Sequence, residues 1–311
     1  MTDFKKILQE YLAYRIGLGF RLRKHSVALP SFIDFLEAGR QKQITADVIL
    51  EWARQPQGCH PNWWAERFSM ARQFAIYCKA RLPQTEIPPV GVVAFKRHRL
   101  APYIYSEFEL SQLLAAAKNL SGGTTLRSTM YATFFGLLTV TGLRVGEALL
   151  LNNADVDLNS GLLTIVRAKF NKPRLVPLHP STVTALRKYA NVRDQAVSTN
   201  PESAFFVFET GNRVSYSAAY ATFHDLLRQI GIRKKGQRQG PRLHDLRHTF
   251  AVHTLTRWYR SGENVRRLMP VLSTYLGHTG VQCTYWYLSA SPELLGQASD
   301  RLSRQLSGVN H

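Results

Sequence analysis

The stretch TYLGHTGVQCTYWYL, residues 274–288, joins the predicted end of one helix to the start of another. Gly277 is typical of a helix end, because glycine readily adopts the left-handed conformation found there. The stretch also carries Tyr275, Tyr285 and Tyr287. Tyrosines in helices usually pack their rings, so the sequence raises the question of whether one of the three is a nucleophile.

The second helix separates two of these tyrosines. Thr279-Gly280-Val281-Gln282 has the pattern of a helix cap with glutamine at the fourth position, which predicts a helix from this point. One residue turns an α-helix by ~100°, so Tyr285 and Tyr287 lie about 200° apart around it. Only one of them can face a given site, and the stretch alone leaves the choice open.

The chain carries a large excess of positive charge. Its 311 residues include 40 Lys+Arg and 21 Asp+Glu, which gives a formal net charge of +19 at pH 7 and a pI of about 10.2. A compact protein tolerates such self-repulsion best beside a polyanion. The basic residues are scattered over many segments rather than collected on one amphipathic helix, which favours nucleic acid over a membrane surface.

Cysteines and apolar segments indicate the compartment. Cys59, Cys78 and Cys283 have unrelated spacings, which argues against a disulfide framework or a cysteine zinc site and suits a reducing compartment. The N-terminus alternates charged and apolar residues, unlike a signal peptide. The most apolar run, residues 131–143, is too short to span a bilayer. We therefore expect a soluble, cytoplasmic protein with no membrane partner.

Helical periodicity and proline content divide the chain. Residues 1–84 are predicted to form a helical domain, with helical patterns near 4–15, 26–39, 44–54 and 62–81. Residues 85–104 contain prolines and a basic cluster without sustained periodicity, and they are predicted to be a linker. Residues 105–311 are predicted to form a second domain, which opens at the capping-box pattern Ser106-Glu107-Phe108-Glu109.

The second domain mixes helices with a small sheet. Helical patterns at 107–119 and 127–140 precede the strand-like residues 155–179, and the remainder is mainly helical. The predicted fold class is mainly α with a small β-sheet (α+β). Residues 292–310 carry a narrow apolar stripe at helical spacing. This tail helix either folds back on its own domain or docks on a neighbouring protomer.

Several residues capable of chemistry lie at predicted helix starts. Arg144 follows a glycine turn, and Glu147, one turn later, is placed to orient it. His244 and Arg247 are three residues apart and project from one face of a helix. His248, four residues after His244, also permits a zinc pair, although no third ligand is evident. Taken singly, each of these patterns is ordinary.

The order of four motifs is not ordinary. TGLRVGEAL, AKFNKPRLVPL, HDLRHTFA and YLGHTGVQCTYWY follow one another between residues 105 and 290, and together they resemble the tyrosine recombinase (phage-integrase-like) family. The resemblance implies an integrase-like catalytic domain, preceded by a helical core-binding domain. The N-terminal 100 residues resemble that core-binding domain only in size and character. The family's nucleophile lies nine residues after the histidine of the LGH motif, which from His278 gives Tyr287. Tyr285 remains the alternative if its helix breaks or lifts.

The resemblance also implies a role for the other motif residues. Arg144 and Arg247 would bind the non-bridging phosphate oxygens, with Glu147 supporting Arg144. His244 would be the base or proton relay for the nucleophile. His278 would donate a hydrogen bond to a phosphate oxygen.

Lys169, at the tip of the predicted hairpin, would protonate the departing 5′ oxygen. The predicted protein is thus a site-specific DNA recombinase or integrase, which cleaves and rejoins strands through a 3′-phosphotyrosine. Because the intermediate retains the bond energy, no cofactor, ATP or metal is expected.

The expected partners are double-stranded DNA, further copies of the chain in a synaptic tetramer joined through the C-terminal tail, and accessory recombination proteins. Three alternatives stay open. They are a non-catalytic DNA-binding protein of the same fold, a topoisomerase-like DNA-relaxing enzyme, and a zinc enzyme that uses His244 and His248.

Overall fold

The computed structural model describes residues 3–20, 22–94, 101–120, 123–166, 173–237 and 240–289, together with Gly296 and Ser299. The chain divides into two units, Met1–Arg99 and Leu100–His311. The described residues form helices and a three-stranded sheet, so the predicted fold class, mainly α with a small β-sheet, is confirmed. Within these residues, no helix is both long and apolar enough to cross a membrane.

The first unit is built from helices that pack around an aromatic core. Its helices are α1 (Phe4–Gly17), α2 (Arg23–Ala38), α3 (Ala46–Arg54) and α4 (Pro61–Lys79). The side chains of Asp3 and Thr45 accept backbone hydrogen bonds at the starts of α1 and α3, and Pro61 occupies the first turn of α4. The largest fully buried side chains of this core include Leu29, Phe32, Trp52 and Phe74.

The described start of the predicted linker stays attached to the first unit. Thr85 is buried, and the backbone N–H of Glu86 donates to the carbonyl of Ile44 at 2.8 Å. The Glu86 carboxylate accepts a hydrogen bond from the N–H of Ala46 at 2.9 Å, at the start of α3. The basic residues 96–99 lie outside the described residues.

The second unit contains the other described helices. They are α5 (Glu107–Lys118), α6 (Thr125–Thr141), α7 (Val145–Leu149), α8 (Pro180–Ala196), α9 (Tyr216–Gln229), α10 (Asp245–Arg260), α11 (Val265–Leu276) and α12 (Gln282–Ser289). The predicted capping box of α5 is confirmed, because the Ser106 side chain accepts the N–H of Glu109 at 3.2 Å and the Glu109 side chain accepts the N–H of Ser106 at 2.8 Å. The core of this unit includes the fully buried Phe134, Phe135, Phe206 and Phe223.

The sheet is antiparallel, in the order β1 (Val156–Asp157), β2 (Leu162–Ile165) and β3 (Arg174–Pro177). β2 and β3 form a hairpin in which Ile165 lies opposite Arg174. Because side chains alternate between the faces of a strand, Arg174 lies on the same face as the buried Val176. Residues 167–172, which come between β2 and β3 in the sequence and include Lys169, lie outside the described residues.

Two glycines end helices beside the candidate site. Gly142 follows α6 with a φ of 60°, and Gly277 follows α11 with a φ of 68°. This is the left-handed region that glycine favours, so the predicted helix end at Gly277 is confirmed. A Cβ atom on Gly142 would lie 2.5 Å from the ring of Phe250, and one on Gly277 would lie 2.7 Å from the Arg174 guanidinium. Both positions therefore need glycine for conformation and for space.

Candidate active site

Three arginines converge on the C-terminal end of α11. The last carbonyls of a helix have no partner within the helix and carry partial negative charge. The carbonyls of residues 275–277 each accept one guanidinium hydrogen bond, at 2.8, 2.7 and 2.7 Å, from Arg174, Arg247 and Arg144 in that order. Three positive side chains from different parts of the chain are thereby held around one helix end.

Glu147 supplies the negative charge that balances two of these arginines. Its side chain is 3% exposed and accepts hydrogen bonds from Arg144 Nη1 at 2.7 Å and from Arg174 Nη2 at 2.8 Å. Burial alone would raise the pKa of Glu147. The hydrogen bond and charge of Arg174, together with the charge of Arg144, outweigh burial and hold that pKa below its ordinary value. Glu147 is therefore ionised at neutral pH and orients both guanidiniums.

Arg247 joins the ends of two helices. The residue is 3% exposed, and its Nη1 donates to the carbonyl of Gly142 at 2.7 Å while its Nη2 donates to Leu276. Burial, and then the charge of Arg144, lowers the pKa of Arg247 to about 10, so it stays positive at neutral pH. A guanidinium has five N–H donors. The two carbonyl contacts therefore leave further donors for a bound anion.

Three histidines line the same site. His244 immediately precedes α10, and its ring centroid lies 4.8 Å from that of His248. Removal from water, and then the charge of Arg247, lowers the pKa of both His244 and His278 to about 4. Burial first, and then the neighbouring His244, lowers the pKa of His248 to about 3. His244 as a whole residue is exposed, although its ring lies beside His248 and is influenced by the charges of Arg247 and Arg144. All three rings are neutral at pH 7.

The two tyrosines of α12 differ in their surroundings. Tyr287 is 2% exposed, whereas Tyr285 is 46% exposed. The ring centroid of Tyr287 lies 6.0 Å from that of His278 and 5.5 Å from that of His248. Burial raises the pKa of the Tyr287 hydroxyl, and the charge of Arg247 opposes this rise. Of the two, Tyr287 is the one that shares the site of arginines and histidines.

The structure brings together most of the side chains that the sequence singled out. Those found around the end of α11 are Arg144, Glu147, His244, Arg247, His278 and Tyr287. Lys169 lies outside the described residues, so its place in the site stays a prediction. His244 and His248 are neighbours, but the described part of the chain holds no group of three His, Cys, Asp or Glu side chains able to bind a metal ion.

Sequence reasoning missed two residues of this site. Arg174 lies in the hairpin motif but was not singled out, although its position two residues before Val176 places it on the core face of β3. Thr284 is fully buried, and its hydroxyl lies 2.7 Å from Nδ1 of His278. Its position three residues before Tyr287 places the two on one face of α12, which is the pattern that would have revealed it.

Comparison with known proteins identifies the family. The sequence matches the Phage integrase family over residues 104–293. It is 45% identical over 309 residues to y4rB of Sinorhizobium fredii (strain NBRC 101917 / NGR234), provisionally named an integrase/recombinase, with 98% of each chain covered. It is 30% identical over 236 residues to the tyrosine recombinase XerC of Chlamydia trachomatis (serovar D), which covers 75% of this chain and 69% of the relative.

A solved structure shows the same fold. The Tn1549 transposon integrase, in complex with transposon right end DNA, matches with a TM-score of 0.67 at 14% sequence identity, covering 96% of this chain and 98% of that chain. The class that the fold and the site define is the tyrosine recombinase. The chain belongs to the phage integrase family, and it is an enzyme of site-specific DNA recombination. The predicted family and enzyme class are confirmed.

Proposed function

We propose that the protein cleaves DNA with Tyr287 and rejoins it through a 3′-phosphotyrosine intermediate. The observation that carries this proposal is the burial of Tyr287 beside His278 and the charge of Arg247, while Tyr285 faces solvent. A tyrosine hydroxyl has an ordinary pKa near ~10 and is a weak nucleophile at neutral pH. A neighbouring cation and a base are what allow it to lose its proton during attack.

Arg144 and Arg247 would bind the scissile phosphate. Attack puts further negative charge on the non-bridging oxygens, and charge-assisted guanidinium hydrogen bonds stabilise that charge. Both guanidiniums are held at the end of α11 by main-chain carbonyls. Little reorganisation is then needed when the phosphate arrives, which lowers the barrier to reaction.

The histidines would act in their neutral forms. His244 would accept the phenolic proton as the Tyr287 oxygen forms its bond to phosphorus. A bound phosphodiester would raise the pKa of His244, because the anion offsets the charge of the nearby arginines. His278 would donate a hydrogen bond to a non-bridging oxygen.

The leaving group would be the 5′ oxygen of the cleaved strand. When the bond from phosphorus to this oxygen breaks, the electron pair stays on the oxygen, and Lys169 would supply the proton that makes a 5′ hydroxyl. Rejoining is the reverse reaction. A 5′ hydroxyl attacks the phosphotyrosine, and the Tyr287 oxygen departs and recovers its proton.

Trapping of the covalent adduct tests this assignment. On a nicked suicide substrate, Tyr287→Phe should form no adduct and should bind DNA with wild-type affinity. Tyr285→Phe is the matched control, and it should form the adduct at wild-type yield. An adduct that persists in the first variant and disappears in the second would reverse the assignment. If the wild-type protein binds DNA but forms no adduct, a non-catalytic DNA-binding protein becomes the better description.

We extend the proposal to assembly on DNA. Recombination joins two duplexes and requires four cleavage events, so we propose a tetramer whose protomers are coupled by residues 292–310. The proposed further partners are accessory recombination proteins. The proposed location is the cytoplasm, where the DNA substrate would be. A DNA molecule with two marked sites separates recombination from relaxation, since exchanged products are expected only from a recombinase.

A further inference from the structure

A buried hydroxyl contacts the ring of His278. Oγ1 of Thr284 lies 2.7 Å from Nδ1 of His278, and Thr284 is 0% exposed. Within the described part of the chain, this is the hydroxyl's one hydrogen bond. The contact is short and enclosed, so the donor and the acceptor can be worked out from what each alternative leaves unpaired.

Burial decides the direction of this hydrogen bond. If the Nδ1–H of His278 donated to Thr284, the hydroxyl proton would have no acceptor among the described residues, which is unfavourable in a fully buried position. If the hydroxyl donates to Nδ1 instead, the buried proton is paired, and only a lone pair on the oxygen goes unused. The second arrangement is therefore favoured.

The direction of this bond fixes the tautomer of the ring. Burial, and then the charge of Arg247, lowers the pKa of His278 to about 4, so the ring is neutral at pH 7. A neutral imidazole carries a single N–H. When Nδ1 accepts a hydrogen bond, that proton must lie on Nε2. In the opposite tautomer, Nε2 would present a lone pair, which repels a phosphate oxygen.

We propose that Thr284 is a positioning residue that holds His278 in the Nε2–H tautomer, in which His278 can donate to the scissile phosphate. This inference rests on the proposed function, which places His278 against that phosphate. Thr284 itself would contact neither the DNA nor the reacting atoms. Thr284 and Tyr287 lie on one face of α12. The helix that carries the nucleophile therefore also determines which ring nitrogen of His278 carries the proton.

Nuclear magnetic resonance tests the tautomer directly. In full-length protein labelled with ¹⁵N-histidine, the nitrogen shifts distinguish a protonated ring nitrogen from a bare one, and His278→Gln identifies the resonances. At pH 7 the wild-type protein should show a protonated Nε2 and a bare Nδ1. Thr284→Val should move the ring toward a mixture, and Thr284→Ser should preserve the wild-type state. A wild-type ring protonated on Nδ1 would overturn the inference, and since this measurement needs no cleavage, it would leave the proposed function standing.

Cleavage of the suicide substrate gives the functional test. At saturating DNA, Thr284→Val should cleave roughly tenfold or more slowly, with unchanged DNA affinity, and Thr284→Ser should recover most of the rate. Thr256→Val is the matched control, because Thr256 is also a buried helical threonine but its hydroxyl has no partner within the described residues. It should cleave at the wild-type rate. Equal losses in the two valine variants would assign the effect to packing and refute the proposal.

A double variant separates the tautomer from other effects. The side-chain amide of glutamine donates from a position similar to Nε2 and has no tautomers. In the His278→Gln background, Thr284→Val should therefore cause little further loss of cleavage rate. If the losses of the two single variants multiply instead, Thr284 does not act through His278, and the proposal is wrong.

Discussion

Glu147→Gln should destabilise the second unit by removing the buried charge that balances two arginines. One carboxylate oxygen accepts hydrogen bonds from Arg144 Nη1 at 2.7 Å and Arg174 Nη1 at 3.1 Å. The other accepts the backbone N–H of Arg144 at 3.0 Å and Arg174 Nη2 at 2.8 Å. In the glutamine variant, an amide nitrogen replaces one of these two oxygens. Whichever oxygen it replaces, two hydrogen bonds are lost, and the N–H groups of the amide face the N–H groups of the arginines.

The expected loss of stability follows from these contacts. A hydrogen bond to a charged group contributes about 1.5–3 kcal/mol, and breaking a buried ion pair costs about 3–5 kcal/mol. The Arg144 side chain is 24% exposed and can regain some hydration, so we expect a loss near the lower end of the range for a broken buried ion pair. A loss of about 3 kcal/mol lowers the melting temperature of a domain of this size by roughly 6–12 °C.

Calorimetry of the full chain at pH 7 measures this shift. The control is Asp225→Asn, which removes the charge of an ion pair in the same unit whose aspartate side chain is 62% exposed. Such exposed pairs contribute about 0–1 kcal/mol, so the control should melt close to wild type. Equal melting temperatures for Glu147→Gln and wild type would refute the role of Glu147 as the balancing charge.

The pH dependence gives a second measurement of the same contact. The folded-state pKa of Glu147 lies below its ordinary value of 4.5, so its contribution to the free energy of unfolding is fully present above that pH. The stability difference between wild type and Glu147→Gln should therefore be constant near neutral pH. It should shrink as the pH falls below about 4.5, as measured by urea unfolding.

The remaining predictions concern other parts of the chain. Lys169→Ala should slow cleavage of an ordinary substrate far more than that of one with a 5′-bridging sulfur, since a thiolate leaves without a proton; equal losses would remove Lys169 from the acid role. DNA affinity should fall steeply with salt, and each neutralised phosphate should add about −0.9 to the slope of log affinity against log salt concentration. Residues 1–100 expressed alone should keep part of that slope, and a fragment without measurable DNA binding would contradict this. Deleting residues 293–311 should preserve binding to one site and reduce cooperative pairing on a two-site DNA; unchanged pairing and recombination would show that the tail has no coupling role. Folding lowers the pKa values of His248 and His278 to about 3 and about 4, so as the pH falls these two side chains become protonated in the unfolded chain before they do in the folded chain. The free energy of unfolding should therefore fall as the pH drops below about 6.5. A urea midpoint that does not change between pH 6.5 and 5 would contradict these lowered pKa values.

Features that arise from residues close together in the sequence could be predicted, whereas contacts between residues far apart in the sequence could not. The capping box at Ser106 and the helix end at Gly277 arise from neighbouring residues, so local patterns were enough to predict them. The contact between Arg144 and Gly277 joins residues 133 apart, and that between Arg247 and Gly142 joins residues 105 apart. No local pattern reports such contacts, and the resemblance to a known family supplied the expectation that the two arginines act together.

Arg174 shows why the rest was missed. An arginine in a hairpin is usually solvated, and its burial here depends on Glu147, which lies 27 residues earlier in the chain. Thr284 was missed for a related reason, because a threonine in a helix has several ordinary roles. Its importance comes from contact with His278 across the turn between α11 and α12. In both cases the decisive partner is a buried polar group whose position only the folded chain establishes.

The attachment of three arginines to main-chain oxygens has an evolutionary consequence. A carbonyl is present whatever side chain the residue carries, so no point substitution at positions 275 or 276 can delete the acceptor for Arg174 or Arg247. Side chains there can vary with the packing around them while the inherited backbone path keeps the guanidiniums in place. The vulnerable position is Gly277, whose left-handed backbone other residues rarely adopt. The spacing of the three guanidiniums is therefore inherited with the path of the main chain and does not depend on which side chains occupy positions 275 and 276.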